Sequence, residues 1–149
     1  MKPERRPLLV KGNMHLGDTF WTFSLPARLS CKLGMTDACE DVCYALDFVF
    51  LTPSSRKKHG DNWERAQEPA EFTSDLYAQI RYQRIKRIRI HVAGDFFSVD
   101  YLLSWLWVAR RCRTTTFLFY TRSWRAAEMR APLVEMAGLP NVKIGRAHV

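Results

Sequence analysis

Ile88-Arg-Ile-His-Val-Ala-Gly-Asp-Phe-Phe-Ser98 is the stretch that decides the fold. From Ile88 to Ala93 the residues are rich in β-branched side chains and alternate, which suits a strand, and the run stops at Gly94-Asp95. In extended geometry Ile88, Ile90 and Val92 share one face, and Arg89, His91, Ala93 and Asp95 share the other. Ser98 then has the oxygen and the position to cap a helix from Val99 to Arg113. Asp100 falls in its first turn, and Arg110, Arg111 and Arg113 in its last, the signs that the helix dipole favours. A strand that turns through Gly-Asp into a capped helix is one unit of an α/β protein.

Outward from this unit the pattern repeats. Thr116-Phe-Leu-Phe-Tyr120 reads as a further strand. Trp124 to Ala137 reads as a helix with Gly138 at its C-cap and Pro140 beyond. Upstream, Ser74 can cap a helix beginning at Asp75. Thr19-Phe-Trp-Thr-Phe-Ser-Leu25 reads as a strand halted by Pro26. Residues 26–43 read as a loop, Tyr44 to Leu51 as a helix on the spacing of Ala45, Phe48 and Val49, residues 52–62 as a loop, and residues 1–18 as an arm broken by Pro3, Pro7, Gly12 and Gly17. Strands alternating with helices imply a parallel sheet with right-handed crossovers. The expected architecture is therefore α/β, the first part of a parallel-stranded partial (β/α) barrel, with residues 19–142 as an incomplete domain truncated at the C-terminus.

The truncation rests on the last residues. Ile144-Gly-Arg-Ala-His-Val149 reads codon for codon as ATC GGA AGA GCA CAC GTC, a short-read sequencing adapter translated in frame. Residues 143–149 are on this reading an artefact, Lys143 sharing a codon with the junction, and His148 leaves the set of candidate ligands. A natural strand over Asn141-Val-Lys-Ile144 is the competing reading.

The chain of 149 residues, 47% apolar, suits at most one domain, and its charged fraction of 26% is ordinary for a globular protein. No apolar run approaches the roughly 18 residues that a membrane span needs. Met1-Lys-Pro-Glu-Arg-Arg-Pro7 lacks the apolar stretch of a signal peptide, so a cytoplasmic location is expected. The formal charge of +8 fits a nucleic-acid partner or a solvated basic surface, with the basic residues clustered at Arg56-Lys57-Lys58 and between Arg81 and Arg89.

In a reducing compartment clustered cysteines point to metal or redox chemistry rather than disulfides. Cys31-Lys-Leu-Gly-Met-Thr-Asp-Ala-Cys39-Glu-Asp-Val-Cys43 places three thiols on one short loop directly after a strand. Thiolates select zinc or iron–sulfur clusters. A 4Fe-4S cluster on Cys31, Cys39 and Cys43 would keep one iron open, whereas a structural zinc takes four protein ligands, with His15 or His59 available as the fourth. Plain reduced cysteines are the third reading. Cys112 lies on an apolar helix and reads as a small buried hydrophobe. Gly94-Asp95 and Arg122-Ser123 follow successive strands at one sheet end, where α/β proteins bind ligands. Arg122 could hold a phosphate or carboxylate, or be a surface charge beside an N-capping Ser123. Asp95 could meet a cofactor, or bond to backbone amides as a turn. His91 suits a satisfied core histidine or a group facing the same site. Trp105 and Trp107 cannot share a helix face, so one belongs to the core and the other packs on a missing neighbour.

Gly12-Asn13, Thr22-Phe-Ser-Leu-Pro-Ala27, the cysteine loop ending Cys43-Tyr-Ala, Ala93-Gly-Asp-Phe-Phe-Ser98 and Tyr120-Thr-Arg-Ser-Trp124 together resemble the phage- and plasmid-borne gene-product-88 family over most of residues 12–142. More distantly the chain is similar to radical S-adenosylmethionine enzymes. These place a three-cysteine loop after the first strand of a partial α/β barrel and a Gly-Gly-Glu-type motif, which meets the cofactor, after the second. That resemblance implies an open-iron cluster on the three cysteines, S-adenosylmethionine as cofactor and Gly94-Asp95 beside it. Here seven and three residues separate the cysteines, where that superfamily has three and two, and Asp95 stands in place of Glu. A zinc-stabilised, basic nucleic-acid-binding protein of a phage or plasmid is the alternative function.

Overall fold

The computed structural model describes residues 6–12, 19–41, 43 and 52–145, apart from the side chain of Glu40. Expectations for Asn13, His15, the helix over Tyr44–Leu51 and the tail from Arg146 lie outside these residues.

The fold is mixed α/β. A five-stranded sheet runs in the order β1 (Val10–Lys11), β2 (Trp21–Phe23), β3 (Arg87–Ile90), β4 (Thr116–Phe119), β5 (Val142–Ile144). β2 to β5 are parallel neighbours, and β1 joins β2 antiparallel. The helices are α1 (Asp37–Asp41), α2 (Pro53–Ala66), α3 (Pro69–Tyr82), α4 (Val99–Arg111) and α5 (Ala127–Ala137). Among the described residues no helix is long and apolar enough to cross a membrane.

The core forms where one sheet face meets the helices. Phe23, Ile88, Ile90, Phe117 and Phe119 are buried side by side in register, and Phe72, Leu76, Tyr101, Trp105, Met129 and Leu133 close over them. Trp105 is fully buried and packs edge-on against Phe23 and Phe72. Trp107 points away, with the Arg111 guanidinium 3.8 Å from its ring centre and Tyr77 edge-on, so its neighbours belong to this chain.

Several local readings need correction. The stretch 52–62 is not a loop but most of α2. Only Asn62 and Ala66 of this helix are buried, so no apolar period marked it. Its local signal was Thr52, whose hydroxyl accepts from Ser55 N, followed by Pro53 in the first turn. α3 begins at Pro69 rather than Asp75, leaving Ser74 inside the helix. Ser98 does cap α4, accepting from Tyr101 N at 3.2 Å.

The expected arm contains β1, preceded by Leu8 and Leu9, both buried. The Gln79 side chain grips Leu9 through both its N–H and its carbonyl, which fixes this segment to α3. After β4 the chain makes a 3-10 turn over Ser123–Arg125, and α5 starts only at Ala127. Asn141 ties β5 to the end of α4 through its side-chain amide, which reaches the carbonyls of Ala109, Cys112 and Thr115 at 3.0 Å each. β5 pairs with β4 through Lys143 and Ile144, two residues that the codon reading assigns to the adapter.

Candidate metal centre

The loops after β2, β3 and β4 leave the same end of the sheet because the three strands are parallel. They interlock there. The β2–β3 pairing continues past the strands, with Leu25 N donating to Ala93 O at 3.0 Å and Ala93 N donating to Ser24 Oγ at 3.1 Å. Gly94 then sits at φ +88°, and a Cβ there would meet Ser30 Oγ at 2.6 Å and Leu25 O at 2.9 Å. Position 94 therefore requires glycine both for its backbone and for its space. This close approach brings the start of the cysteine loop onto the end of β3.

Asp95 joins the three loops. Its N–H donates to Ser30 Oγ at 3.2 Å, one residue before Cys31. One carboxylate oxygen accepts from Phe96 N at 2.8 Å and Thr121 Oγ1 at 2.6 Å, and the other from Arg122 N at 2.9 Å. Ser123, wholly buried, donates to Phe96 O at 2.6 Å and accepts no helix cap. Burial pushes the Asp95 carboxyl above its usual range, while the donors from Thr121, Arg122 and Phe96 pull it back. Asp95 is 7% exposed. Asp95 and Ser123 are thus bonded within the protein, Asp95 as the turn-forming group that was one of its two readings.

On the other side of the rim, the cysteine loop turns at Cys31, whose carbonyl accepts from Gly34 N at 3.1 Å and Met35 N at 2.9 Å. Gly34 lies against the backbone of Arg122, where a Cβ would come within 2.4 Å of the Arg122 carbonyl. Thr36 Oγ1 accepts from Cys39 N at 3.2 Å, which opens α1 with Cys39 in it, and Cys43 follows shortly after. All three thiols are free and half-buried, and Cys112 is buried in the core as expected. The Cys31 thiol is pushed up to about 11, first by burial and further by the nearby negative charges of Asp95 and Cys43. A bound cation would reverse this penalty by stabilising the thiolate.

Thiolate chemistry suits a soft metal or a cluster. Among the described residues, however, no group of three His, Cys, Asp or Glu side chains is gathered around one point. His59 stands on α2 beside Lys58, with burial and that neighbour lowering its pKa.

Strand parity puts His91 on the Arg89 face, and the structure places it on the other. Its φ of +61° ends the extended geometry, and His91 N and Val92 N both donate to Phe23 O, at 2.8 and 3.3 Å. Two residues facing one partner make a bulge, which flips the side chain. His91 Nε2 bonds Tyr101 Oη at 2.6 Å beneath Phe96, so it is a core histidine. Burial lowers its pKa to about 3. Ser30 and Thr121, which complete the Asp95 clasp, escaped sequence reading because a lone hydroxyl in a loop carries no periodic signal.

No curated protein and no solved structure matches this chain. The family model for gene product 88 matches residues 4–145. Together with the interlocked Ala93-Gly-Asp and Tyr120-Thr-Arg-Ser motifs, that match establishes that the chain belongs to the gene product 88 family.

Proposed function

We propose that this protein binds an iron–sulfur cluster through Cys31, Cys39 and Cys43 at the C-terminal rim of its parallel sheet. The observation that carries the reading is a three-cysteine loop locked to the ends of β3 and β4, through Ser30 on the Asp95 backbone and Gly34 against the Arg122 backbone. Such a loop can present thiolates from a rigid frame, which is how α/β sheets place ligand sites. A 4Fe-4S cluster on three cysteines supplies electron transfer and one iron open to an outside ligand.

The finer reading is an enzyme of radical S-adenosylmethionine type, supported by a cysteine loop after the first parallel strand and Gly94-Asp95 after the second. In that reading Asp95 and Ser123 act by shaping the rim, since their polar atoms are already bonded. The Gly94 backbone and the Arg122 side chain remain as candidate contacts to the cofactor's amino-acid portion, Arg122 through bidentate bonding to its carboxylate. The alternative of a zinc-stabilised protein uses the same thiols. Anaerobic purification followed by iron, sulfide and zinc analysis separates the two. Iron with equal sulfide supports the cluster, and stoichiometric zinc without sulfide overturns it.

A further inference from the structure

The helix layer covers one face of the sheet. The opposite face carries Thr22, Arg87, Arg89, Thr116, Leu118 and Tyr120, set in register across β2, β3 and β4 and their flanks. These side chains are half-buried or exposed, whereas their strand neighbours on the helix side are almost all buried. Among the described residues no acidic residue occupies a strand position on this face. Arg87 lies over the Phe20 ring at 5.9 Å, and Arg89 over the Tyr120 ring at 4.5 Å. Arg89 Nε is buried and, among the described residues, meets no hydrogen-bond acceptor, so its guanidinium is held by packing on the Tyr120 ring.

From these observations we infer that this basic, aromatic sheet face seats single-stranded nucleic acid. Residues two apart on a strand are separated by roughly 6.6 Å, so Arg87 and Arg89 repeat a positive charge along one line. A repeated charge fits a chain of phosphates better than one small anion. Guanidinium planes braced on aromatic rings offer flat surfaces on which unpaired bases can stack, and bases paired within a duplex cannot use them. Charge complementarity, with no carboxylate on the described strands, favours this occupant over a second copy of the same basic chain. The inference stands apart from the cluster reading, because it uses none of the rim's side chains.

Fluorescence anisotropy with a labelled single-stranded oligonucleotide tests it. The wild type should bind, and the double variant Arg87→Ala/Arg89→Ala should bind about tenfold or more weakly, with a salt slope shallower by roughly 1.4 for two lost phosphate contacts. Thr116→Glu places a carboxylate in register with Arg87 and should weaken binding while both arginines remain. Arg56→Ala/Lys57→Ala, on the exposed surface of α2, should bind as the wild type does. Thermal melting of each variant checks that the fold persists. Absence of wild-type binding, equal loss from the α2 pair, or a duplex bound as tightly as the single strand would each overturn the proposal. So would a wild-type dimer in solution that Thr116→Glu converts to a monomer.

Discussion

The two sides of the rim are built differently. On the Asp95 side the polar atoms of Asp95 have partners within the chain: Thr121, Arg122 and Phe96 on the carboxylate, and Ser30 on the backbone N–H. On the cysteine side three half-buried thiols share a short loop, unbonded to one another. The first arrangement is that of a clasp, whose work is finished when the chain has folded. The second leaves chemistry undone. The contrast locates the stability of the rim in Asp95 and its reactivity in the cysteines, and each half of that statement can be broken separately.

Replacing Asp95 with Ala should have the largest effect on folding. It strands the N–H groups of Phe96 and Arg122 and frees Thr121, a loss of about 3 kcal/mol in denaturant melts. A loss below about 0.5 kcal/mol, as for an ordinary surface change, would remove the clasp from the account. Gly94→Ala follows, at about 2 kcal/mol, because the positive φ and the Leu25 carbonyl both oppose a Cβ. A variant as stable as the wild type would show that the two loops are not held in contact there.

Acid should separate two buried groups of the same segment. His91 has a folded pKa of about 3, below its ordinary 6.5, so the unfolded chain binds the proton first. Its stabilising contribution is complete above pH 6.5 and is lost as the pH falls towards 3. Asp95 acts in the opposite sense. Its raised pKa means that the folded state holds a proton more tightly, so stability falls as the pH rises through the carboxylate range. In urea titrations a His91→Gln variant should therefore decline less steeply between pH 6.5 and 3 than the wild type. An unchanged slope would contradict the assignment of His91 to the core.

The thiols should behave as sites rather than struts. In metal-free protein Cys39→Ser should change stability by less than about 0.5 kcal/mol, the range of ordinary surface substitutions. Cys31, with its thiol pushed up to about 11, should react with a maleimide at neutral pH some ten- to a hundredfold more slowly than a free cysteine. Mass spectrometry of the labelled chain reads that rate, and fast labelling of Cys31 would show that its thiol is not held in the partly buried position described.

Much of this was legible because strand and helix periods were clean where burial was strong. Ile88, Ile90, Phe117 and Phe119 announce the sheet, and Ser98 announces α4. The gathering of the cysteine loop, Gly94-Asp95 and Arg122 on one rim follows from parallel strands alone. What escaped was set by contacts rather than by period. α2 buries too little to show an apolar face, and the bulge at His91 depends on a positive φ that no sequence pattern marks. The choice between Asp95 as cofactor contact and as clasp turned on Thr121 and Ser30, which come from two other loops.

Iron content measured side by side in wild type, Cys31→Ser, Cys39→Ser, Cys43→Ser and Cys112→Ser, after anaerobic purification, tests the central claim most directly. The account predicts iron with equal sulfide in the wild type and in Cys112→Ser, and loss of most of it in each of the other three. Iron retained after any one of those three replacements, or lost equally with Cys112→Ser, would contradict a shared centre on the cysteine loop.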